Sequence, residues 1–221
     1  MEQQPLELFA FWRTSATYRV RVALNLKGLS ARERIVDIDA GAHQSEAFLK
    51  HNPLGAIPAL IEGSHTPLTQ SLAILEFLDE HQPAPPLLPT DLHGRARVRS
   101  LALMLAADTH PLITPRVKGY LTGAGGFDAA DWRAWQIHWF TTGLLAFEQR
   151  LANEPETGVF CHGDQVTSAD ICLASILAVM FVFKIKVEGT PKIDAIMARC
   201  LALDAFAKAD PYLQVGAPNR S

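Results

Sequence analysis

One proline-rich segment divides this chain into two stretches of different periodicity. Between Gln82 and Pro89 the sequence holds Pro83, Pro85, Pro86 and Pro89. A residue that fixes φ and lacks an N–H continues neither a helix nor a central strand. Residues 83–91 are therefore predicted to link two domains, 1–82 and 92–221. With 221 residues, each domain has enough chain to bury a core of its own.

Ahead of the linker, Leu6, Leu8 and Ala10 alternate with Glu7, Phe9 and Phe11, the two-residue period of a strand. Val20, Ala23, Leu24 and Lys27 then recur at helical spacing, and Gly28 suits the left-handed position after a helix. Arg32 to Ile38 reads as a second strand, Ser45 to Lys50 as a short helix and Asn52-Pro53-Leu54-Gly55 as a turn. A third strand is expected at Ile57 to Ile61, and after Gly63-Ser64 a fourth near Thr66 to Leu68. Ser71 is expected to cap a helix running to about Glu80. The order βαβαββα implies two layers, a mixed four-stranded sheet with helices against it. Beyond the linker the pattern is helical throughout: His93 to Thr122, Ala129 to Leu151, Thr167 to Phe183 and Lys192 to Lys208.

Composition limits function more than fold. A net charge of -3 with 19% charged residues gives nucleic acid no footing, and Arg95, Arg97 and Arg99 read as a solvated helix face. Cys161, Cys172 and Cys200 are far apart and lack partners at metal-ligand spacing, so they are expected to be free, reduced thiols with no metal. Met1 to Pro5 shows no secretory pattern. The most apolar run, Ile171 to Phe183, falls short of the roughly 20 residues of a bilayer span. The expected setting is cytoplasmic, away from membranes.

Three features suit chemistry. Arg13-Thr14-Ser15-Ala16-Thr17-Tyr18-Arg19 puts hydroxyls at a helix start, where N–H groups and the dipole favour an anion such as a thiolate; simple capping is the ordinary explanation of such a cluster taken alone. Ile57-Pro58 opens a strand, and a cis bond there would free the Ile57 backbone to pair with an extended peptide, whereas a trans bond is the ordinary case. Gln70-Ser71 begins another helix, where a carboxylate and an amino group can be held. All three belong to one small domain, in an order that suits a γ-glutamyl tripeptide.

Those residues carry a resemblance. Tyr18-Arg19-Val20-Arg21-Val22-Ala23-Leu24-Asn25-Leu26-Lys27-Gly28, Asn52 to Leu60, Gln70 to Leu78 and Gly163 to Asp170 resemble the glutathione transferase superfamily, specifically its zeta class of maleylacetoacetate and maleylpyruvate isomerases. The resemblance implies a thioredoxin-like glutathione-binding domain followed by an all-helical domain that shapes the second substrate's pocket, and it implies a homodimer. It implies that Thr14 and Ser15 hold the glutathione thiolate with Arg13 beside them, that His43, Ile57, Pro58, Gln70 and Ser71 bind the tripeptide, and that His110 and Arg116 meet an acidic substrate. Thr167 and Asp170 resemble the superfamily's structural capping box.

Two departures stand out. Where many zeta enzymes carry Ser-Ser-Cys-Ser, this chain has Thr14-Ser15-Ala16-Thr17, so no protein cysteine assists. Phe181 and Val182 stand where relatives carry an arginine. The implied reaction is cis-trans isomerisation of a maleyl-type acid by thiolate addition, rotation and elimination. The rivals are conjugation or dehalogenation of small electrophiles at the same site, and a non-catalytic binding module, whose mark would be a ruined thiol loop or a missing Ile-Pro.

Overall fold

The alternation at the start of the chain becomes strand β1, Leu6–Ala10, with Leu6, Leu8 and Ala10 buried and the residues between them partly exposed. The computed structural model describes residues 4–219. One unit runs to Leu87 and takes up the chain again at Leu201, and a second spans Leu88–Cys200.

In the first unit β1 leads into helix α1, Ser15–Lys27, which Gly28 ends in the left-handed conformation at φ 64°. Strand β2 is Ala31–Ile35, helix α2 Glu46–Leu49, strand β3 Ala59–Glu62, strand β4 Leu68–Thr69 and helix α3 Ser71–His81. The sheet has the order β2-β1-β3-β4. It is mixed: β1 and β2 are parallel, and β3 is antiparallel to both β1 and β4. Its register places Arg34, Phe9, Ala59 and Thr69 on one rung across the sheet. Strands β1, β2 and β4 run toward the edge beyond that rung and β3 leaves it. The loops from β1 to α1, after β2, before β3 and from β4 to α3 therefore emerge on the same edge.

Helix α1 buries charge as well as carbon. Arg21 forks onto Glu33 at 2.7 and 2.9 Å, and Lys27 reaches Asp79 at 2.6 Å. The last segment differs from the sequence expectation of a continuous helix Lys192 to Lys208. A helix, Pro191–Leu201, stops at Leu201, and a single turn, Asp204–Ala207, begins after Leu203 in extended geometry. This tail packs with the first unit: Asn25 Nδ2 donates to the Ala205 carbonyl at 2.9 Å, and the Trp12 and Tyr212 rings lie 5.6 Å apart.

The second unit contains α4, Leu92–Leu103; α5, Pro115–Gly123; α6, Ala129–Asn153; α7, Ser168–Val182; and most of α8, Pro191–Leu201. The helix expected from His93 to Thr122 is not continuous. After α4 the chain widens into a π turn, Met104–Thr109, then tightens into a 3-10 turn, His110–Ile113, before α5. Pro111 has no N–H for the carbonyl of Ala107, and Pro115 is a favoured opening residue for α5. Helix α7, apolar on every side, is the core of this unit, with Ile171, Leu173 and Ile176 fully buried.

Asp170 fastens the start of α7. Its carboxylate accepts from the N–H and hydroxyl of Thr167, each at 2.8 Å, and from the N–H of Cys161 at 2.8 Å. Arg97 departs from the solvated-face expectation: it is nearly buried and donates to Glu154 at 2.6 Å, Thr157 at 2.9 Å and the Cys161 carbonyl at 2.8 Å. Planar guanidinium geometry suits such a multiple contact, which periodicity alone does not reveal.

Candidate functional site

The sheet edge of the first unit collects the residues that the sequence singles out there. Thr14 is the extended residue before α1, yet neither its hydroxyl nor any acidic residue caps that helix. Thr14 Oγ1 instead pairs with Thr17 Oγ1 at 2.7 Å. Ser15, the first helical residue, is 2% exposed, and its Oγ has no hydrogen-bond partner among the described residues. The capping explanation for this hydroxyl cluster is therefore set aside. A buried hydroxyl without a partner loses a hydrogen bond it would make in water, and a positive helix end lies beside it. The arrangement suits a small anion or thiolate.

The start of α3 repeats the pattern. Ser71 does not cap this helix, contrary to expectation. It is the first helical residue, while Gln70 precedes it at φ 67° and ψ 110° without a side-chain cap or an acidic residue in the first turn. Ser71 Oγ is engaged by Arg19, whose Nη1 lies 2.7 Å away. Helices α2, α4 and α6 differ, since Ser45, Asp91 and Asp128 cap them. Backbone strain at Gln70 fits a residue fixed for binding rather than for helix stability.

Between these two helix starts, the Ile57-Pro58 bond is cis. The ladder of β3 begins only at Ala59, so Ile57 lies outside it. The preceding loop is braced by Asn52, whose Nδ2 donates to the Ala56 carbonyl at 2.6 Å and whose Oδ1 accepts from the Leu54 N–H at 3.1 Å. A side chain at Gly55, φ 63°, would meet Gln44 Nε2 at 2.4 Å. That close approach sets the turn carrying His43 against the turn leading to Ile57. His43 Nδ1 is buried with no partner among the described residues.

Arg13 pairs with Asp39 and lies over the Phe11 ring, its Cζ 5.7 Å from the centroid. Its charge is thus partly committed within the loop. The protein's own thiols offer no alternative nucleophile: Cys161, Cys172 and Cys200 are buried and form no disulfide. Burial pushes the Cys161 thiol up, with Asp170 adding to the effect, and burial likewise raises Cys200. Among the described residues, no group of His, Cys, Asp or Glu is placed to hold a metal ion.

His110 and Arg116 belong to the second unit, in the 3-10 turn and in the first turn of α5. Arg116 is exposed and has no ion-pair partner among the described residues. Phe181 is 53% exposed near the end of α7. Arg133, from α6, is occupied by the carbonyls of Phe183 and Lys184. It therefore closes the end of α7 instead of replacing the absent arginine.

The sequence places Arg19 at a helix start and Asn52 in a turn without giving either a role of its own. Asn52 lay in a recognised turn, so its bracing role was within reach. Arg19 gave no comparable signal, because a charged residue on a helix ordinarily faces water.

Known proteins resemble the chain along nearly its whole length. The pattern of the glutathione S-transferase N-terminal domain matches residues 4–80, and that of the C-terminal domain matches residues 143–204. A maleylacetoacetate isomerase of Rhizobium meliloti (strain 1021) is 42% identical over 206 residues, covering 92% of this chain and 95% of its own. The crystal structure of maleylacetoacetate isomerase from Methylobacterium extorquens AM1 with bound malonate and GSH is 46% identical, with a TM-score of 0.94, covering 96% of this chain and 99% of that one. The holo structure of a maleylpyruvate isomerase, a bacterial glutathione S-transferase of the zeta class, is 37% identical with a TM-score of 0.92, covering 96% and 100%.

Proposed function

The chain belongs to the zeta class of the glutathione S-transferase family, and from that membership we propose that it converts a cis, maleyl-type acid into its trans isomer with glutathione as cofactor. Maleylacetoacetate and maleylpyruvate are the candidate substrates, matching relatives similar over nearly the full chain. The observation that carries the reading is Ser15: a buried hydroxyl without a partner among the described residues, at the uncapped start of a thirteen-residue helix. When bound, glutathione supplies a thiolate whose reversible addition to the double bond leaves a single bond free to rotate.

The residues of the chain divide the remaining work. Ser15 donates a hydrogen bond from its hydroxyl to the sulfur and, with the first N–H groups of α1, favours the thiolate. Thr14 holds Thr17 and so shapes the turn. The Ile57 backbone, set by Pro58, pairs with the cysteinyl part of the tripeptide, and Gln70, Ser71 and the start of α3 receive its γ-glutamyl end. His43 presents a ring nitrogen to the same ligand. Arg116 supplies charge to a substrate carboxylate with His110 as a polar assistant, and Arg13 adds positive potential near the thiol.

The proposal includes a homodimer working in the cytoplasm, and the absence of a disulfide among Cys161, Cys172 and Cys200 fits a reducing compartment. Light scattering in solution checks the assembly. A second reading, conjugation or dehalogenation of small electrophiles, draws on the exposed apolar Phe181. Isomerisation of maleylacetone and maleylpyruvate, assayed with and without glutathione beside chlorinated acids, decides between them. Glutathione-dependent turnover of the maleyl acids is expected. Activity on chlorinated acids alone would move the assignment to the second reading.

A further inference from the structure

Arg19 lies one turn into α1, is 2% exposed, and holds Nη1 2.7 Å from Ser71 Oγ at the start of α3. A guanidinium carries only donors, whereas a hydroxyl carries one proton and two lone pairs. Ser71 Oγ therefore accepts in this bond, and its own proton must point to a different acceptor. A serine without such a partner readily turns its proton onto a nearby backbone carbonyl. A donated bond from a cation also polarises the hydroxyl, making it a better donor in turn. The hydrogen-bond polarity at the helix start is thus set by a residue of another element.

We propose that Arg19 is a positioning residue for the γ-glutamyl α-carboxylate of glutathione: it occupies the oxygen of Ser71 and turns the hydroxyl proton toward the ligand. This rests on the role given to Ser71 above. It also ties the two ends of the site together, because α1 presents Ser15 at its first residue and Arg19 one turn later. The helix that favours the thiolate also orients the group that meets the carboxylate.

The experiment compares two ligands in the intact protein: glutathione, and 4-aminobutanoyl-cysteinyl-glycine, which lacks only that carboxylate. Calorimetric affinities are measured for the wild type, Ser71→Ala, Arg19→Met, Arg19→Lys and the double variant Ser71→Ala with Arg19→Met. The wild type should prefer glutathione, and Ser71→Ala and Arg19→Met should each cut that preference by about tenfold. Affinity for the truncated ligand should stay unchanged. In the double variant the preference should fall no further than in the weaker single variant.

An equal loss for both ligands in Arg19→Met, or an effect added on top of Ser71→Ala, would overturn the inference. A full wild-type preference in Ser71→Ala would strike the Ser71 reading itself. A reduced preference in Ser71→Ala with Arg19→Met at the wild-type ratio would reject the Arg19 inference alone. Should Arg19→Met fail to fold, Arg19→Lys is decisive. Its shorter stem keeps the charge but draws the donor back, so the preference should drop at least about twofold, and an unchanged preference contradicts the proposal.

Discussion

The hydroxyl oxygens of Thr14 and Thr17 lie 2.7 Å apart within the first turn of α1. That pairing separates two side chains that look equivalent in the sequence. Thr14 has a partner, whereas the Ser15 oxygen is buried without one among the described residues.

The two hydroxyls should therefore respond differently to removal. Ser15→Ala is expected to lower kcat by about tenfold or more and to raise the pKa of the bound thiol, because one donor to the sulfur is lost. Thr14→Val should stay within about threefold of wild type, since it breaks a bond internal to the turn. Ultraviolet titration of the bound thiolate and steady-state rates check both. Equal effects would contradict the assignment.

Gln70 couples binding to strain. At φ 67° its backbone sits where side chains other than glycine are disfavoured. Gln70→Gly should raise unfolding stability by about 1 kcal/mol while weakening glutathione binding. Gln70→Ala, which keeps the Cβ, should weaken binding without the gain. Denaturant unfolding read beside glutathione affinity separates these effects.

Arg116 is an exposed cation in the first turn of α5, where the helix dipole disfavours positive charge. Arg116→Ala is expected to leave thermal stability intact or slightly raised and to raise KM for acidic substrates about tenfold, with little effect on neutral electrophiles. Equal effects on neutral and acidic substrates would contradict a carboxylate-binding role.

Asp170 serves the fold rather than the reaction. Asp170→Asn turns one acceptor oxygen into a donor facing existing donors, so a loss of about 2–3 kcal/mol is expected with unchanged KM for glutathione. Chemical denaturation and a glutathione titration of the folded fraction test this together.

Glu154 gives the acid limb of stability. The hydrogen bond from Arg150, joined by Arg97, holds its carboxyl below the ordinary value of 4.5, against a smaller opposing effect of burial. A depressed carboxyl contributes stability above its unfolded pKa and loses that contribution as pH falls through the folded value. As pH falls from about 5 through the range below 4.5, the melting temperature should therefore drop less steeply in Glu154→Gln than in wild type. The side chain is 28% exposed and that of Arg150 equally so, and screening therefore keeps the difference modest.

Much of the first unit was legible because its elements are marked locally. Gly28 closes α1, Asn52 to Gly55 turns the chain, and alternation at Leu6 to Ala10 marks β1. The sheet edge followed from strand order, which brings Ser15, Ile57 and Ser71 to loops on one side. The engagement of Ser71 by Arg19 was not legible, since the two are 52 positions apart and a buried arginine breaks the usual pattern of charge. The interruption from Met104 to Ile113 was likewise hidden, as its apolar spacing continues through Pro111. The isomer of Ile57-Pro58 and the second cis bond, Ala84-Pro85, depend on surroundings that composition does not encode.

A crystal structure of the protein with glutathione tests the central claim most directly. The account predicts the sulfur within about 3.5 Å of Ser15 Oγ, the cysteinyl backbone against Ile57, and the γ-glutamyl carboxylate on Ser71. A tripeptide bound elsewhere, or a sulfur turned away from Ser15 with that hydroxyl still unpartnered, would contradict it.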